Sequence, residues 1–243
     1  MGRKVTLAAP LPRAGPFCYE FPRPALTVDC ALFGWNRAEL VVLLVRRGRP
    51  PFEGAWALPG GFVEPYEPLE AAARRELAEE TGVAAGELRQ LAAFGDPGRD
   101  PRGHTVSVVF YGVVALESVT PRAGSDADAV AWQPAAQVAL PLAFDHRRIL
   151  EAARERLADE VTRRPTVFDL LPRTFTLSQV QAAYEQILGK SLDKRNFRKK
   201  LAALDILRPA TGQAGLPARR GAQVFELDRE ATTIRREAFR CEL

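Results

Sequence analysis

Residues 61–83, GFVEPYEPLEAAARRELAEETGV, decide how the rest of the chain is read. From Pro68 to Thr81 the stretch consists mostly of strong helix formers, and Gly82 supplies a residue that accepts a left-handed C-cap. On a helix, Leu69, Ala72, Ala73, Glu76 and Glu80 fall on one face, because steps of three and four residues return to nearly the same angle. Small apolar side chains make that face the packing side. It also carries two carboxylates a turn apart, with Glu79 beside them. Like charges at that spacing repel, and partly buried carboxylates are costly unless paired or metal-bound. The helix alone leaves two readings open. One is a solvated Arg/Glu surface paired through Arg74 and Arg75. The other is three carboxylates converging on a hard divalent cation, Mg²⁺ or Mn²⁺, which prefers oxygen ligands.

Working outward, Trp56-Ala57-Leu58-Pro59-Gly60 leads into this stretch as a strand end and a breaker. Further upstream, Ala25 to Phe33 reads as a strand, Gly34 to Arg37 as a turn, and Leu40 to Val45 as a buried strand. Arg46, Arg47 and Arg49 follow in a Gly/Pro-punctuated loop. Downstream, Val106 to Leu116 reads as a long strand and Ala129 to Trp132 as a short one closed by Pro134. Asp145 to Val161 has helical spacing of Ile149, Leu150, Ala153, Leu157 and Val161. Strands and helices alternate through residues 23–160, which predicts one α/β domain behind a Pro-rich basic arm, residues 1–22.

The segment 61–83 fits the Nudix box, G-x5-E-x7-R-E-U-x-E-E-x-G-U, at every fixed position: Gly61, Glu67, Arg75, Glu76, Leu77, Glu79, Glu80, Gly82 and Val83. The sequence therefore resembles the Nudix hydrolases. The resemblance implies a Nudix fold, a mixed sheet between helices, and hydrolysis of a nucleoside diphosphate linked to a further group. It implies Glu76, Glu79 and Glu80 as metal carboxylates and Arg75 paired with Glu67. It also implies Gly61 as a point of close backbone approach. Arg46 and Arg47 are candidate phosphate contacts. So are Arg99 and Arg102, in the loop Phe94 to His104, which resembles that of ADP-ribose-recognising members. Asp126 and Asp128 lie where the family often places a general base, whereas Ala129 stands where a carboxylate might be expected. His104 reads as an ordinary loop histidine.

After Arg163-Arg164-Pro165 the pattern changes. Thr176 and Gln179 have the spacing of a capping box, and Val180, Ala183, Tyr184, Ile187 and Leu188 form an apolar helix side that Gly189 ends. Asp193 then caps a second helix, Lys194 to Leu204, with Phe197, Leu201 and Leu204 on one face and Arg195, Arg198 and Lys199 opposite. Two short strands, Ile206 to Arg208 and Val224 to Leu227, flank a loop with Arg219 and Arg220. Residues 165–243 thus predict a small winged helix-turn-helix domain, with Lys194, Arg195, Asn196, Arg198, Lys199, Arg219 and Arg220 facing double-stranded DNA.

Charge supports this division. Residues 161–243 hold 16 Lys+Arg against 9 Asp+Glu, while residues 1–160 hold 18 against 21, within a net +4 for the whole chain. The 243 residues are 47% hydrophobic and 26% charged, which excludes a largely disordered chain. No apolar run reaches a membrane span, and the start lacks the apolar stretch of a secretory signal. Cys18, Cys30 and Cys241 are odd in number and without metal spacing, as expected for a reducing cytoplasm. The union of box and winged helix is similar to the Nudix-related transcriptional regulators of NAD metabolism. That resemblance implies a homodimeric repressor with ADP-ribose as effector. Many such regulators carry a degraded box; this chain keeps every box residue, so Mg²⁺- or Mn²⁺-dependent hydrolysis is expected to persist. The competing readings are an ADP-ribose pyrophosphatase without a regulatory role, and RNA-directed hydrolysis.

Overall fold

A computed structural model describes residues 21, 23–124, 127–210 and 222–234. Cys18, Asp126, Arg219, Arg220 and Cys241 lie outside the described residues. The first half contains β1 (Ala25–Trp35), β2 (Leu40–Arg47), β3 (Trp56–Ala57), β4 (Gly60–Phe62), α1 (Leu69–Thr81), β5 (Arg89–Phe94), β6 (Thr105–Val113), β7 (Ala127–Pro134) and α2 (His146–Glu160). The strands form one sheet of order β3-β2-β1-β6-β5, with β4 also paired to β1 and β7 to β2. The β1–β6 pair is parallel, from Ala25 opposite Thr105 to Phe33 opposite Val113. The other strand pairs are antiparallel, so the sheet is mixed, as the Nudix resemblance implies.

Helices cover both faces. Successive strand residues point to opposite sides, so Val28, Cys30 and Leu32 of β1 pack with Ala72, Ala73 and Leu77 of α1. Ala31 and Phe33 pack in a second cluster with Ile149, Leu150, Ala153 and Leu157 of α2. Burial on both faces explains why β1 and β2 read as near-continuous apolar runs. Each fully buried Leu or Ile contributes about 1.5–3 kcal/mol relative to exposure. α1 ends at Gly82, which adopts φ 67° and donates its N–H to the Ala78 carbonyl.

Local expectations differ from the structure in places. The strand expected from Val106 to Leu116 ends at Val113, and Leu116–Ser118 forms a 3-10 turn. Gly34 and Trp35 extend β1 instead of turning, because Trp35 is only 4% exposed in the core. The turn begins one residue later, where Asn36 Oδ1 accepts the N–H groups of Ala38 and Glu39 at 3.0 and 2.9 Å. β5 carries no sequence signal of its own, since four of the six residues in Arg89-Gln-Leu-Ala-Ala-Phe are Ala or polar; pairing to β6 makes it a strand.

The second half begins with a 3-10 segment, Pro165–Leu170, followed by β8 (Thr174–Phe175), α3 (Leu177–Leu188), α4 (Lys194–Ala203), β9 (Leu207–Pro209), β10 (Phe225–Leu227) and α5 (Arg229–Ile234). The three strands form an antiparallel sheet of order β8-β10-β9 beside the helix pair, the layout of a winged helix. The capping box is formed: Thr176 Oγ1 accepts the Gln179 N–H while Gln179 Oε1 accepts the Thr176 N–H at 2.7 Å. Asp193 Oδ1 caps α4 through the Asn196 N–H at 2.8 Å. Tyr184 and Phe197 meet edge to face, their ring centroids 5.6 Å apart.

No polar layer separates the halves. Phe33, Leu157, Phe168, Val180, Phe197 and Ile206 belong to one continuous apolar cluster. At its edge the buried carboxylate of Glu160, at the end of α2, accepts from Arg89, from the Tyr111 hydroxyl and from Thr166 Oγ1. Burial and that carboxylate push the Tyr111 hydroxyl up to about 12.

Candidate active cleft and candidate nucleic-acid interface

A cleft of about 420 Å³ opens where β1, the end of β2, the β3–β4 segment, α1 and the start of α2 meet. Its floor holds Glu76 and Glu80, which α1 presents one turn apart. Glu80 Oε2 accepts the Gly60 N–H at 3.0 Å. Burial pushes its carboxyl up to about 7, and the negative charges of Glu76 and Asp29 add to the rise. Burial also raises Glu76, against the lowering pull of Arg75, whose Nη1 donates to it at 2.8 Å. A Cβ at Gly61 would stand 2.5 Å from the Glu76 carboxylate carbon, so a side chain here would displace that carboxylate.

Arg75 locks the loop to the helix as the box resemblance implies. Its Nε and Nη2 donate to the two Glu67 oxygens at 2.8 and 2.9 Å, and Nη2 also reaches the Phe62 carbonyl at 3.1 Å. That bidentate grip holds the Glu67 carboxyl down at about 2 and raises the Arg75 guanidinium above its ordinary value. Glu79 stands apart. Its side chain is 60% exposed, it accepts from Arg75 Nη1 at 3.1 Å, and it does not line the cleft. Among the described residues no three His, Cys, Asp or Glu side chains are grouped to hold a metal ion. Of the three expected box carboxylates two, Glu76 and Glu80, line the cleft, with Asp29 and Asp100 beside them; Glu79 does not, and Arg75 Nη1 bridges it to Glu76. A divalent cation still fits Glu76 and Glu80, two half-buried oxygen donors one helical turn apart that both line the cleft.

The opposite wall is cationic. Arg47 is half-buried and donates Nε to the Pro51 carbonyl at 2.8 Å. Burial and the nearby Arg102 lower its pKa. Arg46 Nε donates to the Gly54 carbonyl at 3.3 Å. Among the described residues neither guanidinium has a carboxylate within ion-pair distance, so both remain available to an anion. Arg99 and Arg102 also line the cleft, but their charge is already matched. The Arg99 side chain, 5% exposed, is gripped by Asp145 at 2.6–3.2 Å. Arg102 makes a bidentate pair with Asp100 at 2.7 and 3.0 Å.

The sequence did not single out Asp29 and His146. Leu58 donates its backbone N–H to His146 Nδ1 at 2.9 Å, which places the proton of the neutral ring on Nε2, 3.5 Å from Asp29 Oδ1. Burial lowers the His146 pKa and keeps the ring neutral. Asp29 also accepts from the Ser107 hydroxyl. The available signal was a single acid inside an apolar strand. His104 is an exposed loop residue, its Nε2 3.1 Å from the Gly95 carbonyl. Asp128 is exposed and does not line the cleft.

On the second unit, Lys194, Arg195, Asn196, Arg198 and Lys199 are all exposed along α4. Phe197 and Leu201, each 1% exposed, anchor the helix from below. Arg198 Nη2 reaches Ser178 Oγ of α3 at 3.4 Å.

The NUDIX domain model matches residues 23–178. The chain belongs to the Nudix family. A second domain, the NrtR DNA-binding winged helix domain, matches residues 167–227. Among relatives of this Nudix chain is the ADPR responsive transcriptional repressor NtrR of Acinetobacter baylyi, 34% identical over 209 residues, covering 85% of this chain and 83% of that protein. Among solved structures, Shewanella oneidensis NrtR complexed with a 27mer DNA superposes with TM-score 0.71 at 35% identity, over 86% of this chain and 95% of that one. The NUDIX domain of the same protein complexed with ADP ribose aligns with TM-score 0.54 at 40% identity, over 56% of this chain and 90% of that one. No helix among the described residues is long and apolar enough to cross a membrane.

Proposed function

We propose that this chain is an ADP-ribose-responsive transcriptional repressor whose Nudix cleft binds the metabolite and whose winged helix grips duplex DNA. The observation that carries the reading is one chain joining two desolvated carboxylates, set against the acid-free guanidiniums Arg46 and Arg47, to an exposed cationic helix. Such a cleft suits a pyrophosphate accompanied by a cation. The similarity to a repressor named for its ADP-ribose response supports the same assignment.

Glu76 and Glu80 would hold the divalent cation, Mg²⁺ or Mn²⁺, and Glu79 would join them by leaving Arg75. Bound there, the ion would neutralise phosphate charge and lower the pKa of an attacking water. Arg46 and Arg47 bind the diphosphate oxygens. Gly60 and Gly61 keep backbone and ligand close, and Arg75 with Glu67 fixes the loop that carries them. Hydrolysis adds water across the diphosphate and releases AMP and ribose 5-phosphate. The intact box supports turnover as well as sensing.

On DNA, α4 enters the major groove. Lys194, Arg195, Arg198 and Lys199 neutralise phosphates, and Asn196 is placed to reach a base edge. Arg219 and Arg220, which precede β10 in the sequence, would add to the phosphate contacts. A cytoplasmic homodimer would set two such helices on half-sites about 34–36 Å apart, and a small rotation would break their register. The test is operator affinity with and without ADP-ribose. Weaker binding in its presence supports the switch; equal affinity removes it, because a ligand shifts an equilibrium only through differential binding.

A further inference from the structure

α2 is a bar with one end in the cleft and the other beneath the winged helix. Its 15 residues, His146 to Glu160, span about 22 Å at roughly 1.5 Å per residue. At the cleft end, His146 is buried and accepts the Leu58 N–H at 2.9 Å, two residues before the Gly60 N–H that binds Glu80. Asp145 stands at the N-cap position without capping; its carboxylate grips Arg99 instead. Phe144 before it adopts φ 52°, uncommon for a residue with a Cβ, so cleft partners rather than a relaxed cap fix where α2 begins. Between the ends, Ile149, Leu150, Ala153 and Leu157 share an apolar cluster with Val180, Ala183 and Tyr184 of α3.

At the far end, Glu160 is 8% exposed, and its carboxylate accepts from three elements: Arg89 of β5, Tyr111 of β6 and Thr166 Oγ1, the last at 2.5 Å. Thr166, 2% exposed, lies in the first turn of the 3-10 segment whose Val167, Phe168 and Leu170 pack with α3. The Glu160 carbonyl also accepts the N–H groups of Arg163 and Arg164, each at 2.8 Å, which fixes the turn into that segment. A buried carboxylate held by three donors has one good geometry, so a shift of the helix end is passed on rather than absorbed. We propose that Glu160, through Thr166, is the positioning residue that couples occupancy of the cleft to the seat of the winged helix, with α2 carrying the displacement. This rests on the reading of the cleft as an ADP-ribose-responsive site and adds the residues that transmit the response.

The test uses the full chain, a labelled DNA duplex that this chain selects from a random-sequence pool, and ADP-ribose with Ca²⁺ in place of Mg²⁺ to hold back turnover. Fluorescence anisotropy gives the coupling ratio, the duplex Kd with saturating ADP-ribose over the duplex Kd without it. Thr166→Val, which keeps the shape and loses the hydroxyl, brings that ratio at least about threefold closer to one, and Glu160→Gln does the same. Thr166→Ser, which restores the hydroxyl, returns the ratio to within about 1.5-fold of the unaltered chain. ADP-ribose affinity without DNA stays within about twofold in all three, because neither Glu160 nor Thr166 lines the cleft. Thr176→Ala loosens α3 without touching the junction and leaves the ratio unchanged, which separates coupling from stability. A ratio in Thr166→Val within about 1.5-fold of the unaltered chain, a Thr166→Ser variant no better than Thr166→Val, or an equal fall in Thr176→Ala overturns the proposal. An unaltered chain that binds ADP-ribose with a ratio of one is a separate result, which removes the switch reading itself and this coupling with it.

Discussion

The cleft and the outer face of α4 are both rich in charge, yet they use it in opposite ways. In the cleft, the Arg99 side chain is 5% exposed and Glu80 is pushed up to about 7, so each charge has a large environmental cost and a specific partner. On α4, Lys194, Arg195, Arg198 and Lys199 are exposed above a buried Phe197 and Leu201. Buried charges act singly and steeply. Exposed charges act together, weakly each, and are screened by salt. Removing one cleft group should therefore be decisive, while removing one α4 cation should only scale affinity.

The largest effect belongs to neither charge set. Phe197→Ala leaves a cavity beneath α4 and should cost about 3–5 kcal/mol in urea-induced unfolding. A loss near zero would mean that the cationic helix does not depend on that anchor. Next, Glu80→Gln should lower metal-dependent release of AMP from ADP-ribose on the order of 10²-fold or more, the scale of a lost transition-state charge partner. A change below threefold would erase the contrast with α4.

Arg195→Ala and Lys199→Ala should each flatten the plot of log affinity against log salt by about 0.9 and spare ADP-ribose binding. If either abolishes operator binding outright at low salt, that residue acts singly like a cleft residue. Thr176→Ala removes a formed cap and should cost about 1 kcal/mol of thermal stability without altering the salt slope.

The smallest effect is confined to acid. Arg75 holds the folded Glu67 carboxyl at about 2, below its ordinary 4.5. Its contribution is fully present above about pH 4.5 and is lost as pH falls toward 2. Glu67→Gln should therefore show a shallower loss of stability over that window than the unaltered chain.

Much of this contrast was legible from residue order. The two carboxylates on the packing face of α1, the Gly82 stop and the Thr176/Gln179 cap are local, set by helical geometry within a few residues. β5 was not legible, because an Ala-rich edge strand is stabilised by its partner. The outward turn of Glu79 was not legible either. Helical spacing brings residues 76, 79 and 80 near one another but does not say which of them the surrounding strands enclose in a cleft.

By itself the sequence determined the box helix, the cationic face of α4 and the family to which the chain belongs, since each depends on short-range periodicity or fixed spacing. Tertiary structure alone decided that Asp29 meets His146 and that Asp145 occupies Arg99. Those partners are brought together by the β1–β6 pairing and by the packing of α2. Pairings between distant residues are chosen by the need to satisfy buried polar groups, and that need exists only once the sheet has formed.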